Sequence, residues 1–148
     1  MRAKTRIRRS PICVDVSFVL ELVTSGGYRP AVVQLWSGWH ESGRPLAAPT
    51  LLHYEASHAL ARYIARGELL PDEAAQALEA VLGLGITLYD DADLHRQALD
   101  LAGRLSLPTT HAAHYLALAE RLGAEFWTAD RRLAEAVRRE LPWVHLAE

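Results

Sequence analysis

The chain has 148 residues, half of them hydrophobic and 23% charged, the composition of an ordinary globular domain rather than a disordered tail or a fibre. A chain of this length buries enough surface to hold one core without a disulfide or a structural metal. The single Cys13 excludes an internal bridge and a Cys-based zinc site and points to a reducing, cytoplasmic compartment. The formal net charge is −2, yet five of the 16 basic residues and none of the 18 acidic ones fall in the first ten positions. Residues 1–10 therefore read as a basic, disordered arm able to touch phosphates, and residues 11–148 as one domain. The first apolar run is interrupted by Asp15 and Glu21, so neither a membrane span nor a signal-peptide core is expected.

In chain order, Ile12 to Ser17 is β-branched and almost continuously apolar, the pattern of a short strand buried on both faces. Phe18 to Val23 reads as a helix halted at Thr24-Ser25-Gly26-Gly27, and Ala31 to Glu41 as a second helix ended by Gly43 and Pro45. Leu46 to Ala48 is a candidate strand. Leu52, Ala56, Ala59, Leu60, Tyr63 and Ile64 make a helical stripe, with Thr50 as its predicted N-cap and Gly67 as its stop. Pro71-Asp72-Glu73 opens a helix to about Leu82. Ile86 to Tyr89 is a third strand, and Asp91 is placed to cap a helix carrying Leu94, Ala98, Leu101, Ala102 and Leu105. Beyond Pro108 a helix runs from about Thr110 to Leu122, followed by a strand over Glu125–Thr128, a helix opened by Asp130 and reaching Glu140, and an edge strand over Trp143–Leu146. Strands separated by helical segments predict an α/β domain with a mostly parallel sheet of four to five strands and helices on both faces.

In such a sheet ligands bind outside the carboxyl ends of the strands, so acids there carry the functional argument. Asp15 interrupts an apolar strand, where an unpartnered carboxylate would cost several kcal/mol. The structural alternative is a helix cap or an arginine partner. Asp130 has the spacing of an ordinary N-cap. Glu55 lies beside the apolar stripe of its helix, with His58 or Arg62 as structural partners or a metal as the functional one. Three acids facing one sheet edge suit a hard divalent cation and phosphoryl chemistry.

With these residues in place, the chain resembles the PIN-domain ribonucleases, in particular the VapC-like toxins of bacterial toxin–antitoxin pairs. The resemblance rests on Val14-Asp15-Val16-Ser17, on Pro49 through Glu55 to Arg62, on Tyr115 to Glu120, and on Trp127-Thr128-Ala129-Asp130. It implies a single PIN-like domain and a magnesium-dependent endoribonuclease, with manganese as a substitute ion. Asp15, Glu55 and Asp130 would be the metal-binding and catalytic acids, with Ser17 and Thr128 as supporting hydroxyls. It also implies an RNA substrate, an antitoxin partner and a homodimer. One departure stands out: the family carries a further aspartate where this chain has Ala112. Either three carboxylates suffice, or His111 substitutes in part, although imidazole suits magnesium badly, or the chain is a degenerate module that binds RNA or protein.

Other readings fit less well. A phosphoacceptor receiver domain would use a lysine on a late strand, and the only lysine is Lys4; a dinucleotide fold would place a glycine fingerprint after the first strand. His53 and His114 read as surface or packing residues with no zinc spacing. Trp36 and Trp39 suit the core, with an exposed dimer or antitoxin face as the alternative.

Overall fold

The computed structural model describes residues 10–24 and 29–148. Nearly all of the basic arm, and the stop signal at Ser25-Gly26-Gly27, lie outside the described residues. The elements are β1 (Ile12–Val14), α1 (Val16–Thr24), α2 (Pro30–Glu41), β2 (Leu46–Pro49), α3 (Leu51–Ala65), α4 (Pro71–Leu82), β3 (Thr87–Tyr89), α5 (Ala92–Arg104), α6 (His111–Leu122), β4 (Glu125–Thr128), α7 (Arg131–Val137) and β5 (Val144–Leu146).

The strands form one sheet in the order β3-β2-β1-β4-β5, and every pairing is parallel. The α/β class expected from the sequence holds, with five strands and a sheet that is parallel throughout. The chain builds outward from β1 through β2 to β3, then crosses back to add β4 and β5 on the other side. With right-handed crossovers, this reversal places α1 to α4 on one face and α5 to α7 on the other. It also opens a crevice between the carboxyl ends of β1 and β4, where Val14 is paired with Trp127.

Ile12, Cys13 and Val14 are fully buried, as befits a central strand covered on both faces. Above it, α6 packs on β1, β2 and β4 and buries Ala113 and the run Tyr115–Ala119. Gly123 ends α6 in the left-handed region at φ 60°, a conformation that costs glycine nothing. On the opposite face Trp39 packs against Phe18 and Trp127, with ring centroids 5.3 and 5.7 Å away. That settles Trp39 as a core residue, and Trp36 is half-buried against the same core.

Three local expectations change. The first strand ends at Val14 rather than Ser17, because the Asp15 carboxylate accepts the Phe18 N–H at 3.0 Å and starts α1. Thr50 makes no side-chain cap; instead its N–H donates to the Tyr89 carbonyl at 3.1 Å, tying α3 to the end of β3. The helix after Asp130 stops at Val137 and gives way to turns before Glu140. The cap at Asp91 is as expected, its carboxylate accepting the Leu94 N–H at 2.8 Å. Arg121 grips the same carboxylate at 2.7 and 3.0 Å, and this bond, before the backbone cap, pulls the Asp91 pKa down to about 2.

Leu116 of α6 is fully buried in the core, so Leu116→Ala should destabilise the fold by about 2–5 kcal/mol. Urea denaturation checks this; a change well under 1 kcal/mol would mean that α6 is not packed on the sheet as described.

Candidate functional site

The crevice between β1 and β4 is closed by one carboxylate. Asp15 follows β1, is 6% exposed, and accepts three hydrogen bonds. Ser17 Oγ and the Phe18 N–H donate to Oδ1 at 2.6 and 3.0 Å, and Thr128 Oγ1 donates to Oδ2 at 2.6 Å. A carboxylate offers about four lone pairs, so one position on Oδ2 stays open. Each hydroxyl has a single proton, and with both given to Asp15 the 3.1 Å contact between Ser17 Oγ and Thr128 Oγ1 carries none. The same two oxygens accept from the next loop: the Ala129 N–H donates to Ser17 at 2.9 Å and the Asp130 N–H to Thr128 at 3.0 Å.

This network holds Asp130 at the head of α7, where its Oδ1 caps the helix by accepting the Leu133 N–H at 3.2 Å. The cap reading of Asp130 is therefore correct, and it coexists with a place beside Asp15, whose charge it perturbs. Burial is the main cause that lifts the Asp15 pKa to about 6; the bonds from Ser17, Thr128 and Phe18 work against the shift, and the Asp130 charge adds to it.

Glu55 enters from the second turn of α3, beyond β2. Neither His58 nor Arg62 is its partner: the Tyr115 hydroxyl donates to Glu55 Oε1 at 2.6 Å. Tyr115 is 2% exposed, and burial, then the charge of Glu55, holds its phenol far above the ordinary range, with Asp15 contributing too. Tyr115 thus holds Glu55 by its hydroxyl, feels the Asp15 charge and keeps its proton. The bond spans 60 residues, so no local spacing announces it. Ala112, in the first turn of α6, offers only a methyl group.

The lone pairs left open on Asp15, Asp130 and Glu55 are carboxylate oxygens, the chemistry that a hard cation takes. Asp15 Oδ2 keeps an open lone pair, and Asp130 Oδ2 and Glu55 Oε2 have no hydrogen-bond partner among the described residues. Among those residues, however, no three His, Cys, Asp or Glu side chains are grouped closely enough to hold an ion. The donor types fit a magnesium ion, while the arrangement is an Asp15–Asp130 pair with Glu55 tethered nearby rather than a closed cage.

No family model matches the sequence, and no curated protein does. Solved structures do. A chain of a toxin–antitoxin complex from Klebsiella pneumoniae superposes with a TM-score of 0.67 at 16% identity, covering 93% of this chain and 98% of that one. PAE2754 from Pyrobaculum aerophilum gives a TM-score of 0.62 at 26% identity over 86% of each chain. These likenesses establish the shared fold over nearly the whole length of both molecules. No helix among the described residues is long and apolar enough to cross a membrane.

The raised Asp15 pKa has a definite sign for stability. The folded form holds the proton to about pH 6, whereas the unfolded group releases it near 3.8. Stability from this site is full below about pH 4 and falls as the pH rises through 6, by about 3 kcal/mol at most. Asp15→Asn keeps the volume and can still bond Ser17, Thr128 and Phe18. It should flatten this slope and raise the melting temperature at pH 7 without added metal. A large fall in melting temperature at pH 7 would instead make the carboxylate charge structural.

Proposed function

We propose that this chain is a metal-dependent endoribonuclease of PIN type acting as the toxin of a toxin–antitoxin pair. The observation that carries the proposal is the buried Asp15 carboxylate, which keeps one open lone pair beside Asp130 at the switch point of the sheet. The family pattern in the sequence supports the ribonuclease and the antitoxin partner, and the fold shared with a chain of a toxin–antitoxin complex is in keeping with both.

In this reading Asp15 and Asp130 are the principal ligands of Mg2+, or of Mn2+ in its place, and Glu55, held by Tyr115, completes the site. A bound ion would supply charge neutralisation at the scissile phosphate and a more acidic water. The chain's own residues supply position. Ser17 and Thr128 fix the Asp15 rotamer and the backbone of Asp130, and Tyr115 fixes Glu55. Hydrolysis adds water across a phosphodiester of single-stranded or looped RNA and leaves two shorter strands.

Ala112 favours a second reading, a degenerate module with the same fold that binds RNA or protein without cutting it. The two separate on one assay. Purified protein should cleave single-stranded RNA with Mg2+ or Mn2+, lose cleavage in EDTA, and lose it in Asp15→Asn while remaining folded. Binding without cleavage at any metal concentration would establish the degenerate module.

Position 112 gives a further test. Ala112→Asp adds an oxygen ligand in a first helical turn, where an aspartate is favoured by about 0.3–1 kcal/mol. It should tighten Mn2+ binding and raise cleavage, whereas His111→Ala should leave Mn2+ affinity unchanged. Equal Mn2+ affinity in wild type and Ala112→Asp would remove position 112 from the site.

A further inference from the structure

Beside the acids, along the same sheet edge, lies a second pocket of about 210 Å³ over the carboxyl ends of β2 and β3. Its walls include Tyr54, Tyr89, Asp90, His95, His111 and His114. Two chain neighbours link it to the acid site: Tyr54 precedes Glu55, and His114 precedes Tyr115. Since β2 adjoins β1, the two sites are offset by only one or two strand spacings, about 5–10 Å.

The chemistry of the walls is specific. Tyr54 is 73% exposed although it is aromatic, and its ring flanks the pocket without a hydrogen-bond partner among the described residues. His114 Nδ1 lies 2.6 Å from the Thr110 carbonyl, which can only accept, so Nδ1 carries a proton. In the neutral ring Nε2 is then an acceptor, and it takes the proton of His95 Nδ1 at 2.9 Å. His95 Nε2 lies 3.7 Å from Asp90 Oδ1 at the exposed rim, and in the neutral tautomer of His95 both atoms are acceptors. The gap is too short to admit an atom between them, but one amino group beside them can donate to both, whereas a phosphate would be repelled by Asp90.

We infer that this pocket binds a nucleobase of the RNA strand next to the scissile phosphate, stacking it on Tyr54 and reading an exocyclic amino group with His95 and Asp90. The inference rests on the ribonuclease reading above and adds a base-specific subsite to it. Aromatic stacking is a general means of holding unpaired bases, and the acceptor pair selects adenine, cytosine or guanine over uracil, which has no amino group.

The test is fluorescence anisotropy with labelled oligo(A), oligo(C) and oligo(U) RNA, with Ca2+ replacing Mg2+ to hold cleavage back. Wild type should bind oligo(A) and oligo(C) more tightly than oligo(U). Tyr54→Ala should weaken binding about 5- to 150-fold, Tyr54→Phe should restore it, and His95→Ala should remove the preference against oligo(U). Unchanged affinity in Tyr54→Ala, with RNA cleavage intact, overturns the pocket and leaves the ribonuclease reading standing. If the same variant binds RNA normally but no longer binds a protein encoded beside it, the pocket belongs to that partner and the inference fails. A wild type that neither binds nor cleaves any of the three oligonucleotides overturns both readings.

Discussion

The Asp15 carboxylate is the joint on which the site depends. It ends β1, starts α1 through the Phe18 N–H, and crosses to β4 through Thr128. The hydroxyls that donate to it also receive the N–H groups of Ala129 and Asp130. One side chain therefore sets the turn after β1, the turn after β4 and the direction of α7. Replacing it with an apolar residue would strand two hydroxyl protons and a buried N–H, each a desolvated donor without an acceptor. The charge itself is a different matter, because burial already disfavours it. Geometry here is stabilising and ionisation is not, the combination expected where a counter-charge is to be recruited.

The surroundings follow from that arrangement. A parallel sheet whose strand order reverses between β1 and β4 leaves the carboxyl ends of those strands uncovered. Asp15 and Asp130 lie there, Glu55 is held nearby by Tyr115, and the aromatic and imidazole pocket lies over the adjoining strands. Tyr115 connects the two: it is buried beneath α6, holds Glu55, and follows His114 in the chain.

Much of this was legible in the sequence. Ile12 to Val14 reads as a buried strand because apolar residues run there without a polar break, Phe126 and Trp127 mark a strand between Glu125 and Thr128, and proline and glycine mark most helix ends. Asp15 drew attention because an acid in such a run needs a reason. Its second role as a cap is not separable from the first by pattern, so the apolar run reads on to Ser17 although α1 begins at Val16. Sequence spacing points Glu55 to His58 or Arg62 on its own helix, whereas its partner Tyr115 comes from a helix that only the tertiary fold brings near. The His95–His114 pair joins α5 to α6 in the same way, and no periodicity within one helix could reveal it. Thr50 had the right residue type for a cap, but its backbone is already helical, with φ −55°, and its N–H is engaged by β3.

The most direct measurement is a crystal soaked in Mn2+ with anomalous diffraction recorded at the manganese edge. A peak at the carboxyl end of the sheet, in contact with Asp15 Oδ2 and with Asp130, and with Glu55 turned toward it, is the predicted result. Saturating Mn2+ that leaves this crevice empty, while the same protein still cleaves RNA, would contradict the assignment of the switch-point acids as the metal site.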